Sequence, residues 1–466
     1  MATEGAIAVV DVGATNTRVI LMDETLREID AHKQKTVHRD GPPYKSIDDG
    51  ALLAFIADAL VDLDRIRPID TISVSAFGAT AACVDAEGRL VLPVMDYLAE
   101  PPESVVAGYA KIAPPFSEVF ANTSPSALTL ARQLHWIEME FPDAFARIEQ
   151  VLPWSAYVGY RLGGTPATEI SNLGVFTHLI EVETCAWSSL VTAKGWARLF
   201  PERRNAWDVI GTFCGPDGKR LRGRGEILCG IHDSNANWLR YLASQTGAFT
   251  LLSTGTFLIG FDSSADLGGL TPDNDTFSFN DIFGRPIACG RFYGGFEFNR
   301  IIDGADPGAA TPAAVQAMID SEIFALPSFS DTGGPIPGRG NRGRIVGDTP
   351  QDDTARVSLA CLYYALMADE VLDALRSTGT IIIDGPVAGN PVLTSLIAQL
   401  RAPQPVVISD ANEGTALGAG VLGLMKGNGR VPRVPIRLSP VAASGFRGLA
   451  NYRSAWLRRI DEETGS

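Results

Sequence analysis

Several features are scarce in this 466-residue chain, and each scarcity argues against a class of protein. Its six cysteines are scattered and show no Cys-x-x-Cys pair or Cys/His spacing suited to zinc, which indicates reduced core thiols. No apolar run approaches the length of a membrane span. The acidic N-terminus leads directly into an apolar run rather than into a signal peptide. We therefore expect a cytoplasmic protein without a membrane partner.

Positive charge is scarce as well. The chain has 39 Lys and Arg against 54 Asp and Glu, a formal net charge of −15, and its basic residues form no stripe. This composition argues against nucleic acid as a partner, because nucleic-acid binding needs clustered positive charge. It does not oppose nucleotide binding, since backbone dipoles and a bound metal set the local field in such a site.

The chain does contain one short polar pattern twice. The apolar run 7–10 leads into Asp11-Val12-Gly13-Ala14-Thr15-Asn16-Thr17-Arg18, and the run 249–252 leads into Ser253-Thr254-Gly255-Thr256; a second apolar run follows each. Each copy predicts two strands joined by a tight turn whose N–H groups and hydroxyls face an anion. One such hairpin alone is as consistent with an ordinary turn at the edge of a sheet as with an anion-binding turn. Two of them facing each other would hold a polyphosphate from both sides.

Only the first copy carries a carboxylate, Asp11. A carboxylate at this position suits a Mg²⁺ ion that is bound to the phosphates. It would hold the ion through water, because Mg²⁺ dehydrates reluctantly. The alternative is that Asp11 is a turn-forming residue.

The organisation expected is α/β in two domains, because the length exceeds what one core supports and strands alternate with helices. We place the domains at 1–244 and 245–466. The Gly-, Pro- and Asp-rich stretch 303–348 predicts a surface loop. The remaining predicted elements are strands within 6–22, 71–77, 380–383 and 405–409, a hairpin of 81–85 with 90–93, and helices at 50–63, 128–140, 154–162, 354–375 and 392–400.

Three further segments resemble functional turns. Gly230-Ile231-His232-Asp233 passes from a strand to a helix, and a carboxylate at a helix N-terminus stays ionised and can accept a proton. Asp233 could instead be only a helix N-cap. The turn 384–391 follows a buried strand, and Glu413–Gly420 opens a helix with small residues that allow close packing or close approach to a ligand.

Taken in order, these segments resemble those of the FGGY carbohydrate kinases, members of the actin/hexokinase/Hsp70 ATPase superfamily, over about residues 6–430. The resemblance implies two actin-like (ribonuclease H-like) ATPase domains with a ligand cleft between them. It also implies that ATP and Mg²⁺ are used to phosphorylate a small sugar. The chain is most similar to the L-rhamnulose/L-fuculose kinase branch, on Arg18, Leu92–Val94, Tyr160–Gly164, Glu169–Asn172 and Gly294–Arg300.

The resemblance also assigns roles to residues. Asp233 would be the general base, Asp11 would hold Mg²⁺, and Arg18 would offset charge on the transferring phosphoryl or pair with a carboxylate on its strand. The remaining assignments are Gly13, Thr15, Asn16, Thr17, Gly255 and Thr256 for the phosphates, Gly385, Gly389 and Asn390 for adenosine, and Thr80, Asp96 and Tyr97 with Asp233 for the sugar. Thr80, Asp96 and Tyr97 could equally be surface or turn residues.

Three departures from the family pattern leave the substrate open. The usual aromatic-x-Asp-x-Arg segment is replaced by Asp96-Tyr97-Leu98-Ala99-Glu100, without its basic partner. Thr80 stands where the branch tends to have an acid, and Gly385-Pro386-Val387 replaces a run of three glycines. A ketose such as L-fuculose or L-rhamnulose is favoured, with another pentulose, a tetrulose or a polyol as alternatives. A nucleotide-binding sensor on the same fold is the alternative of another class. The oligomeric state stays open, a homodimer included.

Overall fold

The computed structural model describes residues 5–123, 126–215, 218–244, 247–409 and 414–464. Gln245, at the predicted domain boundary, and Glu413, in the small-residue segment, lie outside these ranges. Two compact units are present. The first unit comprises Met1–Gln245, Ser278–Pro286 and Glu413–Pro435, and the second unit comprises Thr246–Phe277, Ile287–Asn412 and Ile436–Ser466.

Strands and helices alternate along the first half of the described chain. The strands are β1 Ala6–Val12, β2 Asn16–Met22, β3 Glu28–Lys35, β4 His38–Arg39, β5 Ser46–Ile47, β6 Ile69–Ala76, β7 Ala81–Val84, β8 Gln150–Pro153, β9 Val209–Thr212, β10 Glu226–Leu228 and β11 Ile231–His232. The helices are α1 Asp49–Ile66, α2 Glu103–Ala110, α3 Phe116–Val119, α4 Leu130–Glu140, α5 Pro142–Phe145, α6 Trp154–Arg161, α7 Ile170–Leu173, α8 Ser189–Lys194 and α9 Asp233–Ser244, with a 3₁₀ turn at Trp196–Leu199.

The second half continues the alternation of strands and helices. Its strands are β12 Phe249–Thr254, β13 Leu258–Asp262, β14 Thr276–Asn280, β15 Pro286–Phe292, β16 Phe324–Leu326, β17 Arg344–Val346, β18 Thr380–Asp384, β19 Val406–Ser409 and β20 Leu438–Pro440. Its helices are α10 Gly294–Ile302, α11 Pro312–Asp320, α12 Asp353–Ala374, α13 Pro391–Leu400, α14 Gly414–Leu424 and α15 Leu449–Thr464, with 3₁₀ turns at Pro272–Asn274 and Pro386–Gly389.

The sheet of the first unit has the order β3-β2-β1-β6-β10-β9, and β11 also pairs with β6. Strand β1 runs antiparallel to β2 and parallel to β6. Side chains alternate across a strand, so Val10 and Val12 face one apolar core while Ile7 and Val9 face the core that contains Leu239 of α9. Asp11 follows the parity of Ile7 and Val9 and therefore lies on the α9 face. The predicted α/β class is confirmed.

The second sheet has the order β14-β15-β13-β12-β18-β19-β20. Strand β12 is antiparallel to β13 and parallel to β18, the same arrangement that β1 has with β2 and β6. The sequence pattern that occurs twice therefore corresponds to the same substructure: a hairpin whose first strand pairs in parallel with a later, buried strand.

The small residues of α14 serve close helix packing. A Cβ on Gly418 would lie 1.6 Å from the carbonyl oxygen of Ala236 in α9, and one on Gly414 would lie 2.1 Å from Asn237 Oδ1. Backbones that approach this closely leave room only for glycine. Of the two roles open to this segment, the structure shows the packing one, within the first unit.

The prediction of a surface loop over 303–348 is wrong in part. Helix α11 and strands β16 and β17 lie in this stretch, and Val315, Phe324 and Leu326 are fully buried. Pro312 begins α11 and the Thr311 side chain accepts a bond from Ala314 N, so the helix is capped despite the loop-like composition. The apolar runs are short and the Gly and Pro content between them concealed their periodicity.

All six cysteines are free thiols, and Cys83, Cys229, Cys289 and Cys361 are buried. Within the described ranges, every helix is too short or too polar to cross a bilayer.

Candidate functional site

The strand register of the first unit brings two carboxylates to one edge of the sheet. Asp11 of β1 pairs with Ser75 of β6, and Ser75 pairs with Ile231 of β11. Asp233 begins α9 directly after β11 ends. Asp11 and Asp233 therefore both lie at the carboxyl ends of parallel strands, about 10 Å apart if two strand spacings separate them. Ligands of open α/β sheets bind at this edge.

The turn of the first hairpin is fixed from within and from β3. Gly13 N donates to Asn16 O at 2.9 Å, and a Cβ on Gly13 would lie 2.8 Å from the same oxygen. Thr36, just beyond β3, donates its hydroxyl to Gly13 O at 2.7 Å and its N–H to Thr15 O at 3.0 Å. Sequence reasoning missed Thr36, because its role depends on the pairing of β2 with β3.

The predicted phosphate residues of this hairpin differ in exposure. Thr15 is exposed at the tip and Asn16 is half-buried. Thr17 is 1% exposed, and its Oγ1 lies 3.1 Å from Thr36 Oγ1. The Thr17 side chain thus stabilises the turn from inside, and the tip presents Thr15.

Arg18 stands opposite Asp11 in the β1–β2 pair. Its guanidinium lies 3.4 Å from the Glu28 carboxylate. The strand-face pairing that the sequence left open is therefore present in this structure, and contact with a transferring phosphoryl stays a prediction.

Asp233 is held beside a buried imidazole. His232 Nε2 lies 3.2 Å from Asp233 Oδ1, and Ser234 donates its N–H and hydroxyl to the same oxygen. Burial lowers the pKa of His232, and the Asp233 charge raises it less, so the ring is held neutral. The Asp233 side chain is 32% exposed. This arrangement provides an oriented carboxylate that solvent or a substrate can reach.

A buried carboxylate, Glu169, supports this turn. Glu169 accepts bonds from the Ser171 N–H and hydroxyl, each at 2.8 Å, and from the N–H of Asn172 at 2.7 Å. Ser171 Oγ in turn accepts the N–H of His232 at 3.2 Å. Glu169 is thereby linked through one hydroxyl to the residue before Asp233. The sequence marked Glu169–Asn172 only as a resemblance, without a role.

The predicted sugar residues lie around the same turn. A Cβ on Gly78 would lie 2.7 Å from the His232 ring, so the segment leading to Thr80 packs against His232. Thr80 is 2% exposed and its hydroxyl has no partner among the described residues. The Tyr97 ring packs edge-on against Phe77 at 5.6 Å between ring centroids, and burial raises the pKa of Tyr97, with the charges of Asp96 and Asp233 raising it further.

Asp96 is 1% exposed and fully engaged. Its Oδ1 accepts Leu98 N at 2.8 Å, and its Oδ2 lies 2.8 Å from His38 Nδ1 and 3.6 Å from Lys45 Nζ. The basic partner absent from segment 96–100 thus comes from residues far earlier in the chain. No local sequence signal marks that pairing.

In the second unit, the tip of the second hairpin is supported by α10. Gly255 and Thr256 are exposed, and Gly295 and Phe296 donate their N–H groups to Thr256 O at 3.1 and 3.2 Å. A Cβ on Gly295 would lie 2.1 Å from Gly255 O. A glycine at 295 is therefore needed for the helix to reach the hairpin.

The turn after β18 is joined to the same hairpin through Thr254. Thr254 Oγ1 donates to Asp384 O at 2.5 Å and accepts Val387 N at 3.2 Å. Gly385 has φ +88°, and a Cβ on it would lie 2.1 Å from Thr254 O. Its glycine is therefore required by the fold.

The other two predicted adenosine residues differ from Gly385. Open space surrounds the Cβ position of Gly389 within the described structure. Asn390 Oδ1 accepts Leu393 N at 3.0 Å as the N-cap of α13, and its Nδ2 lies 3.6 Å from Cys361 Sγ. Asn390 therefore has a structural task of its own, and Gly389 is the position that leaves room for a ligand.

The donor set on the α9 face fits a hydrated Mg²⁺. Asp11 is half-buried, and Ser75 lies beside it on the neighbouring strand. The Ser75 hydroxyl and the Asn235 side-chain amide, the latter on α9, are buried without partners among the described residues. Oxygen donors and partnerless polar groups suit an ion that keeps several waters.

Comparison with known families matches both parts of the chain. Residues 6–215 match the N-terminal domain of the FGGY family of carbohydrate kinases, and residues 246–431 match the C-terminal domain of carbohydrate kinase FGGY. Among curated proteins, the chain is 25% identical to the L-fuculokinase of Salmonella typhi over 268 residues, covering 55% of this chain and 56% of that protein. The L-fuculokinase of Escherichia coli K12 is 24% identical over 224 residues, 44% of this chain and 46% of that protein. The chain thus spans about half the length of these relatives.

Solved structures match over the whole chain. A carbohydrate kinase from Novosphingobium aromaticivorans superposes with a TM-score of 0.89 and 28% identity, over 99% of both chains. A ligand-bound xylulose kinase from Lactobacillus acidophilus superposes with a TM-score of 0.79 over 99% of this chain and 98% of its own, at 15% identity. The second likeness is one of fold alone. The predicted two-domain actin-like fold is confirmed by these neighbours.

Proposed function

The chain belongs to the FGGY family of carbohydrate kinases, and on that premise we propose that it transfers the γ-phosphoryl group of ATP to a hydroxyl of a small ketose. The observation that carries the proposal is the placement of Asp11 and Asp233 at one carboxyl edge of the first sheet, beside the Gly13 turn. Phosphoryl transfer asks a protein mainly for positioning and charge neutralisation, and this edge offers a base, a metal ligand and an anion-binding turn.

Asp233 acts as the general base in this proposal. Its carboxylate takes the proton from the sugar hydroxyl as that oxygen bonds to the γ-phosphorus, the bond to the bridging β–γ oxygen breaks, and ADP leaves. The neutral His232 ring lies against Asp233 Oδ1, with its Nε2 3.2 Å away, and so restrains the carboxylate without discharging it. The bond chain from Glu169 through Ser171 holds the His232 backbone in place.

Asp11 holds the Mg²⁺ that accompanies ATP, which when bound neutralises phosphate charge. Gly13, Thr15 and Asn16 offer N–H groups and side chains to the phosphates from the first hairpin, and Thr17 stabilises its turn. We also propose that Arg18 offsets the negative charge of the transferred phosphoryl group. In the second unit, we assign Gly255 and Thr256 to the phosphates and Gly385, Gly389 and Asn390 to the adenosine pocket.

The acceptor is an L-fuculose- or L-rhamnulose-type ketose in this proposal. The L-fuculokinase relatives support that class. Thr80, Tyr97 and the Asp96 segment line the sugar site around Asp233, with the partnerless Thr80 hydroxyl as the free hydrogen-bonding group. The six free thiols suit the reducing cytoplasm as the place of action.

A coupled ADP-release assay tests the function. The panel contains L-fuculose, L-rhamnulose, pentuloses, a tetrulose and glycerol, each with Mg–ATP, and Asp233→Asn serves as the inactive control. Turnover with one sugar class, abolished in the variant, supports the kinase and names its substrate. ADP release that is independent of any sugar, or absent with all of them, contradicts it and favours a nucleotide-binding sensor.

A further inference from the structure

One side chain in the first unit contacts both the turn of the β1–β2 hairpin and the predicted sugar residue Asp96. His38, the first residue of β4, has its Nε2 2.8 Å from Ala14 O, in the turn between Gly13 and Thr15. Its Nδ1 lies 2.8 Å from Asp96 Oδ2. The imidazole is 28% exposed and is a rigid link between two segments that are far apart in sequence.

Both partners of His38 are hydrogen-bond acceptors. A carbonyl oxygen and a carboxylate oxygen are satisfied together only when both ring nitrogens donate, and a protonated imidazole does this. A carboxylate as counter-charge makes the bond on the Asp96 side a strong, charge-assisted one. The planar ring fixes the spacing of its two nitrogens, so a shift of the Ala14 turn pulls on Asp96 through the same ring.

The two ends of this link are themselves held to functional groups. On one side, the Ala14 turn is the tip of the hairpin whose Gly13 and Thr15 carbonyls Thr36 fixes. On the other side, Asp96 accepts the N–H of Leu98 and precedes Tyr97. Burial raises the pKa of Tyr97, and the charges of Asp96 and Asp233 raise it further. A ligand that tightens either end therefore restrains the other.

We propose that His38 is a positioning residue that couples the nucleotide-phosphate hairpin to the sugar segment, defined as residues 94–99. Occupation of one then raises affinity at the other. This inference rests on the proposed function, since it assigns nucleotide to the first end and sugar to the second.

Lys45 supplies the matched control. Its Nζ lies 3.6 Å from the same oxygen of Asp96, but Ala14 is bound by His38. Lys45→Gln removes a positive charge from Asp96 and leaves the bridge intact. His38→Gln removes the ring, and one amide cannot donate across the same span. If charge compensation of Asp96 were the only role, the two variants would behave alike.

The first readout is the effect of sugar on nucleotide affinity. Binding of Mg–ADP is measured by calorimetry without sugar and with the sugar that the wild-type chain turns over. We expect that sugar to tighten Mg–ADP by roughly tenfold in the wild type and in Lys45→Gln, within the usual range of site coupling, and by less than about twofold in His38→Gln. His38→Asn provides a second variant, and thermal unfolding shows that each variant is folded.

The second readout needs no sugar. Hydrogen exchange of residues 94–99 is followed with and without Mg–ADP. We expect Mg–ADP to slow exchange there in the wild type and in Lys45→Gln, but not in His38→Gln or His38→Asn.

The outcomes separate this inference from the proposed function. Coupling that survives in the His38 variants, or that Lys45→Gln abolishes equally, overturns the role of His38. Protection of 94–99 that depends on His38, in a chain that turns over no sugar, supports the coupling and refutes the sugar kinase. If Mg–ADP leaves 94–99 unprotected in the wild type, the coupling is wrong whatever the sugar panel shows.

Discussion

His232 Nε2 lies 3.2 Å from Asp233 Oδ1, and it reaches that oxygen from a side chain only 5% exposed. The ring cannot easily take up a proton, because burial lowers its pKa. It therefore orients the carboxylate and leaves proton transfer to Asp233. This relationship separates the two residues of the His-Asp pair into an orienting group and a reacting group, which mutation can distinguish.

Asp233→Asn keeps the shape of the side chain and removes the base. We expect kcat to fall by roughly 10²–10⁴, with folding and ATP affinity little changed. Steady-state kinetics and Mg–ADP calorimetry provide the measurement. Asp62→Asn, a change to a surface carboxylate paired with Arg65 on α1, is the matched control for losing one negative charge. A variant that keeps more than about a tenth of kcat would remove Asp233 from the role of base.

Asp11→Ala tests the metal assignment. If Asp11 positions Mg²⁺, the variant loses turnover with every sugar alike, and raised Mg²⁺ restores part of it, because the ion then binds through the phosphates alone. If Asp11 only shapes the turn, the loss appears as a lower melting temperature. Kinetics over a Mg²⁺ titration, with thermal unfolding alongside, distinguish the two.

Gly385 and Gly389 form a matched pair in one turn. Gly385→Ala places a Cβ 2.1 Å from Thr254 O at φ +88°, so we expect a loss of more than about 1 kcal/mol in the free energy of unfolding. Gly389→Ala meets open space, and stability should stay within about 0.5 kcal/mol. If adenosine approaches the backbone at Gly389, that variant raises KM for ATP and leaves KM for sugar unchanged. Equal effects on both Michaelis constants would argue against the adenosine assignment.

His178 provides a prediction on acid stability in the first unit. Burial lowers its pKa from 6.5 to about 4, and its nitrogens bond Tyr109 OH and Ala121 O. The unfolded chain binds a proton at this residue below about pH 6.5 and the folded chain does not until about pH 4. The free energy of unfolding therefore falls as pH drops through that window, by up to about 3 kcal/mol from this group.

His178→Asn should flatten that dependence, since the asparagine keeps hydrogen-bonding capacity without titrating. Urea unfolding at several pH values between 7 and 4 measures the difference between the two slopes. Comparison of slopes is needed because Glu370, whose burial raises its pKa to about 7, changes stability in the opposite direction over part of the window. If the free energy of unfolding has the same pH dependence in the variant and the wild type, His178 does not cause the loss of stability at low pH.

The features that the sequence predicted are those whose determining residues lie close together in the chain. The two hairpins, the Gly230–Asp233 turn and helices such as α12 carry their turn residues, caps and apolar spacing within a few positions. Thr36, His38 and Lys45 carry no such signal, because each acts through a strand or carboxylate distant in sequence. They became visible only when the pairing of β2 with β3 and the position of Asp96 were known.

Strand β7 shows the same limit in the fold. The sequence predicted a hairpin of 81–85 with 90–93, and a single bridge from Val84 to Leu90 does form there. The regular ladder of β7, however, pairs with Gln150–Pro153. A local turn signal could not identify a partner strand that four helices separate from it.

Thr80 and Asp96 give the last prediction, on sugar specificity. Asp96 is buried and engaged by Leu98 N, His38 and Lys45, so Asp96→Asn should lower kcat/KM for all sugars alike by displacing the segment. Thr80 has a buried hydroxyl without a partner among the described residues, so Thr80→Val keeps the shape and removes a group that could bind a sugar oxygen. We expect its stability to be unchanged or raised, because no internal hydrogen bond is lost. Its kcat/KM should fall roughly 5- to 150-fold for the sugar whose hydroxyl it contacts and less for stereoisomers that lack that contact, with KM for ATP constant. An unaltered ranking of stereoisomers in Thr80→Val, with an altered one in Asp96→Asn, would reverse these assignments and make Asp96 the residue that contacts the sugar.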